Sequence, residues 1–235
     1  DFVKKIFSSV DETLGFSLSK LILEGPEEKL KLTENTQPAI MTVGVSIYNV
    51  LNKKFGFELN NSKFFAGHSL GEYTALVCAK SITLEKAAYL LNERGKAMQN
   101  AVSLNQGAML AILGMKIDEV QKEINLVSKE GICEISNDNS DLQVVVSGEK
   151  KIIEKLNDNL KIKKKRGILL PVSAPFHCSL MKKAADKMKD KIRDTNFLEP
   201  KPKIISNVTA REEKDANKIK PLLIDQITLK VRWRE

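Results

Sequence analysis

Apolar residues recur at helical spacing through the first part of the chain. Residues 1–10 have the pattern of a helix that is already under way at the first residue. A second, longer helix carries an apolar face made of Ile40, Val43, Ile47 and Leu51. Thr36 is suited to cap that helix, Pro38 to its first turn and Gly56 to its end. The apolar run at 64–66 then predicts a short buried strand, and a further helix follows it.

The helix predicted at 84–102 places a charged residue among apolar ones. Its apolar face consists of Leu84, Ala87, Ala88, Leu91 and Met98. Arg94 lies three residues after Leu91 and four before Met98, and therefore falls on the same face. Two interpretations remain open. The arginine stem covers the core while its head reaches water, or the guanidinium lies in a cleft and needs an anionic partner there.

The pattern changes between residues 106 and 172. Strand and helix segments follow one another in the order strand, helix, strand, strand, helix, strand, at 108–113, 117–128, 132–136, 143–147, 149–160 and 167–172. This β-α-β-β-α-β order is that of a ferredoxin-like unit. We therefore expect residues 106–172 to form a small domain inserted into a larger α/β core made of residues 1–105 and 173–235. After the insertion, the pattern predicts a helix at 179–193, a strand at 203–206 and a last helix at 222–229.

The heptapeptide GHSLGEY, residues 67–73, contains the pattern G-x-S-x-G. In a nucleophile elbow, this pattern lies where a strand turns sharply into a helix and holds the serine in a strained backbone conformation. Glycine suits such a turn because it lacks a Cβ. A predicted strand precedes Gly67 and a predicted helix follows Gly71, which makes Ser69 a candidate nucleophile. An ordinary Gly-Ser turn is the alternative.

A serine hydroxyl needs a neighbouring base to take its proton, and histidine is the side chain best matched to that task near neutral pH. The chain has two histidines. His68 immediately precedes the serine, and the sharp turn should direct its side chain away from Ser69. His177 is therefore the candidate base by elimination, although no Asp or Glu stands out as its partner. A thiol nucleophile at Cys178 is disfavoured because adjacent residues seldom aim their side chains at each other.

The composition limits the classes of partner. The chain has 235 residues, a net charge of +8 and three scattered cysteines, which indicates free thiols in a reducing compartment rather than a disulfide framework or a zinc site. No apolar run approaches the ~18 residues of a membrane-spanning helix. The basic residues are mostly lysines, and the basic run at 161–167 contains no aromatic residue, which argues against nucleic acid and for an acidic or phosphorylated partner. The motifs of nucleotide cofactors and zinc proteases are absent, so neither a bound cofactor nor a metal is expected.

Several segments together resemble the malonyl-CoA:acyl carrier protein transacylases of fatty-acid synthesis. They are GHSLGEY, ERGKAMQ (93–99), PVSAPFHCSLM (171–181), TQPAIMT (36–42), GAMLAILG (107–114), SNDNSDLQVVVSG (136–148) and ISNVTA (205–210). The resemblance extends over essentially the whole chain. It implies an α/β fold in which an α/β-hydrolase-like large domain carries an inserted ferredoxin-like small domain, with the active site in the gorge between them.

The resemblance also implies roles for individual residues. Ser69 corresponds to the nucleophile that carries the acyl group, His177 to its general base, and Arg94 to the residue that pairs with the free carboxylate of malonate. The backbone N–H of Leu70 corresponds to an oxyanion donor, and the backbone carbonyl of Gln226 to the group that orients the histidine. The residues implied to border the substrate are His68, Asn139 and Gln143.

The activity that the resemblance implies is transfer of malonyl from malonyl-CoA to the phosphopantetheine thiol of acyl carrier protein, through a malonyl-serine intermediate. The expected partners are the acidic carrier protein and the coenzyme A thioester. The expected state is a monomer in a bacterial cytoplasm or in the stroma of a plastid-type organelle such as the apicoplast. The alternatives are a serine esterase or thioesterase and an acyltransferase of polyketide synthesis. We also expect this chain to lack the family's N-terminal motif, which is rich in glycine and glutamine, and the family's C-terminal end.

Overall fold

Helices and strands follow one another along residues 2–172 and 174–235, which are the residues that this computed structural model describes. Asp1 and Ser173, where two of the predicted domain segments begin, lie outside them. The helices are α1 (Phe2–Leu14), α2 (Leu18–Glu24), α3 (Glu27–Leu30), α4 (Thr33–Phe55), α5 (Gly71–Cys78), α6 (Leu84–Gln99), α7 (Ile117–Val127), α8 (Lys150–Ile162), α9 (Lys182–Asp194) and α10 (Ala216–Asp225). The strands are β1 (Phe64–Ala66), β2 (Gly107–Leu113), β3 (Cys133–Ser140), β4 (Gln143–Glu149), β5 (Arg166–Leu169), β6 (Lys203–Ile205) and β7 (Glu212–Glu213). Short 3-10 helices span Leu59–Asn61 and Ser179–Met181.

The chain separates into two compact units. The first is made of Asp1–Lys96, Met188–Ser206 and Arg211–Leu223, and the second of Ala97–Lys187, Asn207–Ala210 and Ile224–Glu235. The domain boundaries predicted from the sequence, with residues 106–172 as the inserted domain, remain a prediction. No helix within the described residues is both long and apolar enough to cross a lipid bilayer.

The first unit contains a short three-stranded sheet. β1 and β6 pair in parallel, with Phe64 opposite Lys203, and β7 pairs antiparallel with β6. α5 follows β1 closely and packs against both β1 and α4, as a strand-turn-helix arrangement requires. The core of this unit consists of fully buried side chains, among them Tyr73, Leu76, Leu90, Leu91 and Ile204.

The start of α4 differs from the prediction. The helix begins at Thr33, after the N-cap residue Leu32, so Thr36 lies inside its first turn and is not its cap. The hydroxyl of Thr36 donates to the backbone carbonyl of Leu30 at 2.6 Å. Pro38 therefore lies inside the helix, where it has no N–H to donate to the carbonyl of Glu34. The side-chain amide of Asn92 donates to that carbonyl instead, at 3.0 Å. This contact explains how the helix tolerates the proline.

The second unit contains a four-stranded antiparallel sheet in the order β3-β4-β2-β5, with α7 and α8 packed on one face. This arrangement confirms the predicted ferredoxin-like unit. The core between the sheet and the two helices includes Leu110, Ile112, Val120, Ile124, Val144, Val146, Ile153 and Leu156. A second apolar cluster, which includes part of the loop that leads to His177, is made of Met109, Ala111, Val145, Leu170 and Phe176.

The bounds of β3 and α10 also differ from the predictions. β3 runs to Ser140, whereas its polar residues predicted an earlier end. Register shifts in its pairing with β4 accommodate these polar residues, as β-bulges do. α10 spans Ala216–Asp225 rather than 222–229, because the carboxylate of Asp215 accepts the N–H of Asn217 at 2.9 Å and so caps an earlier start.

Candidate active site

Ser69 lies at the turn between β1 and α5. Its φ is +52°, a value that a non-glycine residue adopts only at a cost of about 1–3 kcal/mol. Gly67 allows the turn to close, because a Cβ on this residue would lie 1.9 Å from the carbonyl oxygen of Gly71. The strained serine and the strand-turn-helix geometry that GHSLGEY predicts are therefore both present.

The backbone that follows Ser69 begins α5. Leu70 is the N-cap residue of this helix, so its N–H belongs to the amides at the positive end of the helix dipole. The N–H of Gly71 donates to the carbonyl of His68 at 2.9 Å and fixes the turn, and His68 itself is half-buried. In a turn fixed in this way, the N–H of Leu70 can stabilise negative charge that develops on an acyl oxygen next to Ser69.

Arg94 on α6 is almost fully buried, with 1% of its surface exposed. Its Nη1 donates to Oε1 of Gln37 at 2.6 Å, and its Nη2 donates to Oγ of Ser69 at 3.2 Å. The interpretation in which the arginine head reaches water is therefore wrong. The serine oxygen is the acceptor in this contact, so the contact does not use the hydroxyl proton.

Burial and neighbouring acidic groups shift the pKa of Arg94 in opposite directions. Burial lowers the pKa of Arg94, and the acidic groups of Tyr73 and Glu72 act in the opposite direction. The guanidinium remains protonated, because arginine is not deprotonated in proteins. Glu72 is itself buried in the first turn of α5, and burial raises the pKa of Tyr73 to about 12, which keeps the phenol neutral. The first unit therefore holds a permanent buried cation beside a serine hydroxyl, and such a site suits an acyl group with a negative charge.

His177 is the second group with an unusual backbone. Its φ is +57° and its side chain is buried. The ring atom Nδ1 lies 2.7 Å from the backbone carbonyl oxygen of Gln226. A carbonyl oxygen only accepts hydrogen bonds, so Nδ1 must carry the proton. The lone pair is then on Nε2, which is the tautomer that a general base requires.

The segment that contains Gln226 is attached to β3. Gln226 is fully buried. Further along the segment, the N–H of Val231 donates to the carbonyl of Ser136, and the N–H of Asp138 donates to the carbonyl of Val231, both at 2.9 Å. The guanidinium of Arg234 forms an ion pair with the buried carboxylate of Asp138 at 2.9 Å. The position of the carbonyl that holds His177 is thus linked to the sheet of the second unit.

Asn139 and Gln143 lie near the two ends of the turn between β3 and β4. Asn139 is half-buried and Gln143 is exposed. The second unit holds them together with His177 and Gln226, and the first unit holds His68, Ser69, Leu70 and Arg94. The structure therefore gathers the predicted residues into two groups, and a substrate contact for Asn139 and Gln143 stays a prediction.

Sequence reasoning assigned no role to Gln37, although the segment TQPAIMT contains it. This glutamine is buried and accepts a hydrogen bond from Arg94. The sequence signal that could have indicated Gln37 was a polar residue one position before the proline of a long helix. Cys178 is disfavoured as a nucleophile, because it is fully buried, its thiol donates to the carbonyl of Pro175 at 3.1 Å, and burial raises the pKa of the thiol to about 12. Among the described residues, no three His, Cys, Asp or Glu side chains are grouped as a metal ion would need.

Comparison with known proteins places the chain among acyltransferases. The family model of the acyl transferase domain matches residues 1–227. The chain is 39% identical over 234 residues to a malonyl CoA-acyl carrier protein transacylase of Bacillus subtilis, a match that covers 99% of this chain and 73% of that relative. The structure matches that of an acyl-carrier-protein-S-malonyltransferase from Bartonella henselae with a TM-score of 0.94 and 42% identity, over 98% of this chain and 74% of that one. It also matches a structure of a malonyl-transacylase in complex with its type II PKS acyl-carrier protein, with a TM-score of 0.93 and 38% identity, over 98% of this chain and 74% of that one.

The mixed α/β fold and the serine at a strained turn define an enzyme of acyl transfer. The chain belongs to the acyl transferase family, and its relatives within that family are malonyl CoA-acyl carrier protein transacylases. This result confirms the family, the fold class and the enzyme class that were predicted from the sequence.

Proposed function

We propose that this protein transfers the malonyl group of malonyl-CoA to the phosphopantetheine thiol of acyl carrier protein, through a malonyl ester of Ser69. One observation supports this substrate above others. The buried guanidinium of Arg94 lies beside the serine hydroxyl, with Nη2 at 3.2 Å from Oγ. In a malonyl ester of Ser69, one CH2 group separates the free carboxylate from the carbonyl carbon that is bonded to Oγ. The carboxylate is therefore within reach of the guanidinium, which can bind it through two hydrogen bonds.

The first half of the reaction forms the acyl-enzyme. Nε2 of His177 takes the hydroxyl proton of Ser69, and Oγ attacks the thioester carbonyl of malonyl-CoA. Negative charge develops on the carbonyl oxygen and is stabilised by the backbone N–H of Leu70 at the start of α5. The bond between carbon and sulfur then breaks, and coenzyme A leaves as a thiol with the proton that His177 returns.

The second half of the reaction transfers the malonyl group to the carrier. The phosphopantetheine thiol gives its proton to Nε2 of His177 and attacks the malonyl ester. The carbonyl of Gln226 holds the proton on Nδ1 in both halves, so that the imidazole returns to the same tautomer after each transfer. Ser69 then regains its proton. Because the enzyme alternates between free and acylated forms, the rate law is ping-pong.

The positive net charge of the protein suits it to bind acyl carrier protein, which is expected to be acidic. A net charge of +8 favours association with an acidic protein, and the lysines near the site are expected to contact it. The structurally similar malonyl-transacylase in complex with its acyl-carrier protein supports this partner. We place the enzyme in type II fatty-acid synthesis, as a monomer without a bound cofactor, with polyketide synthesis as the alternative. The bacterial origin of the relatives favours a bacterial cytoplasm over the apicoplast.

Mass spectrometry of the acyl-enzyme tests the proposal. The purified protein is mixed with malonyl-CoA, quenched in acid and digested, and the peptide that contains Ser69 should gain the mass of one malonyl group. Addition of carrier protein that bears phosphopantetheine should remove the group and produce malonyl carrier. Ser69→Ala should show neither event. Release of free malonate in place of malonyl carrier would indicate a thioesterase, and the absence of any adduct would contradict covalent catalysis.

A further inference from the structure

The segment that follows His177 is held to the sheet by a carboxylate. Glu134 on β3 accepts the backbone N–H of Ser179 at 2.9 Å and the hydroxyl of Ser179 at 2.5 Å. Ser179 comes two residues after His177 and begins the 3-10 helix that leads into α9. One side chain of the sheet thus binds both the backbone N–H and the hydroxyl of a residue that lies two positions after the candidate base.

This segment needs such support because its backbone is strained. His177 has a φ of +57°, and a conformation of this kind persists only where the surroundings hold it. Upstream, Phe176 packs into the apolar cluster that includes Met109. At the ring, the carbonyl of Gln226 holds Nδ1. Downstream, the two hydrogen bonds from Ser179 to Glu134 tie the chain to a different element of the fold.

The position of Glu134 suits this task. The preceding residue, Cys133, is buried in the core between the sheet and its helices, which fixes the strand at this point. The same strand binds the C-terminal segment through the backbone of Ser136 and Asp138. β3 therefore holds the backbone next to the histidine and also the segment that supplies its hydrogen-bond acceptor.

We propose that Glu134 is a positioning residue, which holds the backbone of His177 so that the imidazole keeps Nδ1 on the carbonyl of Gln226 and Nε2 in the orientation for proton transfer. Glu134 touches no substrate and takes no proton in this role. The catalytic part of the proposal rests on the proposed function, because the consequence for rate follows only if His177 is the base for Ser69.

Kinetics of Glu134 variants test the catalytic consequence. Glu134→Ala should lower kcat for malonyl transfer by about 10-fold, which is a part of the 10²–10⁴-fold that a general base contributes. KM for malonyl-CoA should change by less than about 2-fold, because the residue is not in the binding site. Glu134→Gln keeps one acceptor oxygen and should recover part of the lost rate. Ser179→Ala should lower the rate less than Glu134→Ala does, and should have no further effect when combined with it.

A matched control separates positioning from loss of a surface contact. Glu130 lies in the same unit and its carboxylate pairs with Lys155 at 2.5 Å. Glu130→Ala should leave kcat unchanged, and the two alanine variants should have similar midpoints of thermal unfolding. A fall in kcat as large in Glu130→Ala as in Glu134→Ala would overturn the proposal, and so would unchanged kcat in Glu134→Ala.

A spectroscopic measurement tests the positioning without reference to activity. The chain contains two histidines, so ¹⁵N labelling of histidine gives a simple spectrum in which His68→Gln assigns the remaining ring. The ¹⁵N shifts should show the Nδ1–H tautomer of His177 in the wild type and in Glu130→Ala, and a mixture of tautomers in Glu134→Ala. If the wild type forms no acyl-enzyme but the tautomer still depends on Glu134, the proposed function fails and the positioning stands. An identical tautomer in all variants would overturn the positioning.

Discussion

Replacement of Arg94 by alanine tests the origin of substrate selectivity. The guanidinium donates to Gln37 at 2.6 Å and to Ser69 at 3.2 Å, and a malonyl carboxylate would bind to the same two-pronged donor. Each hydrogen bond to a charged group contributes about 1.5–3 kcal/mol. Two such bonds amount to about 3–6 kcal/mol, which corresponds to a loss of about 10²–10⁴-fold in kcat/KM for malonyl-CoA.

Acetyl-CoA has no carboxylate, so its kcat/KM should stay the same or rise in Arg94→Ala. The assay is a competition in which one enzyme sample consumes a mixture of labelled malonyl-CoA and acetyl-CoA with the carrier as acceptor. Both substrates meet the same enzyme, so the ratio of products does not depend on the folded fraction. This independence matters because removal of Arg94 takes away a positive charge near the buried Glu72, which is expected to destabilise the fold.

Two further variants refine the result. Arg94→Lys keeps a positive charge but loses the planar pair of donors, and the preference for malonyl should fall by about 10–10²-fold, as expected for the loss of one charged hydrogen bond. Arg94→Met keeps much of the side-chain volume without charge and should behave as alanine does in the competition. A wild-type ratio of malonyl to acetyl products in Arg94→Ala would refute the assignment of this residue to the malonyl carboxylate.

Three other expectations follow from the geometry and the charges. Gly67→Ala places a Cβ 1.9 Å from the carbonyl oxygen of Gly71 and should lower the free energy of unfolding by more than about 3 kcal/mol. At Gly71, an added Cβ meets nothing within 4 Å, so Gly71→Ala should be neutral or slightly stabilising. Equal urea midpoints for the two variants would contradict this expectation. Burial raises the pKa of Cys78, Cys133 and Cys178 from 9.0 to about 12, so their contribution to stability is present below pH 9 and is lost as the pH rises towards 12. Urea unfolding should show a lower free energy of unfolding at pH 10 than at pH 8, and a variant with alanine at the three positions should lack the part of this decline that is due to the thiols. The kcat/KM for the carrier should fall as sodium chloride rises, since the association of oppositely charged proteins is screened by salt, and a constant value would argue against docking by lysines.

The sequence predicts those parts of the site whose backbone geometry is set by residues close together in the chain. The turn at Ser69 is set by Gly67 and by the adjacent strand and helix, all within a few residues of one another. The face of α6 on which Arg94 lies follows from the period of the helix, whereas the sequence left open whether its head reaches water. The turn and the helix face are set by residues close in sequence, so the pattern contains them, whereas the contacts that hold the guanidinium join Arg94 to Gln37 and Ser69, 57 and 25 positions away.

Other parts depend on contacts between distant segments and carry no local pattern. The carbonyl that holds His177 belongs to the backbone of Gln226, and a backbone group has no signature in the amino-acid sequence. It could be indicated only by resemblance to a family. Likewise, the carbonyl of Glu34 that Pro38 leaves without a donor is bound by the side-chain amide of Asn92, 58 positions away from Glu34 in sequence. The contact between Glu134 and Ser179 is of the same kind, because nothing near either residue indicates the other.

The acceptor that holds the imidazole proton has a genetic consequence. Every amino acid has a main-chain carbonyl, so no amino-acid substitution at position 226 deletes the oxygen that lies 2.7 Å from Nδ1 of His177. A saturation library at this position would measure which side chains fit a fully enclosed space and replace the hydrogen bond of the Gln226 amide to Asn207. Inactivating alleles of this contact should instead arise at a distance, in residues that set the path of the chain through position 226.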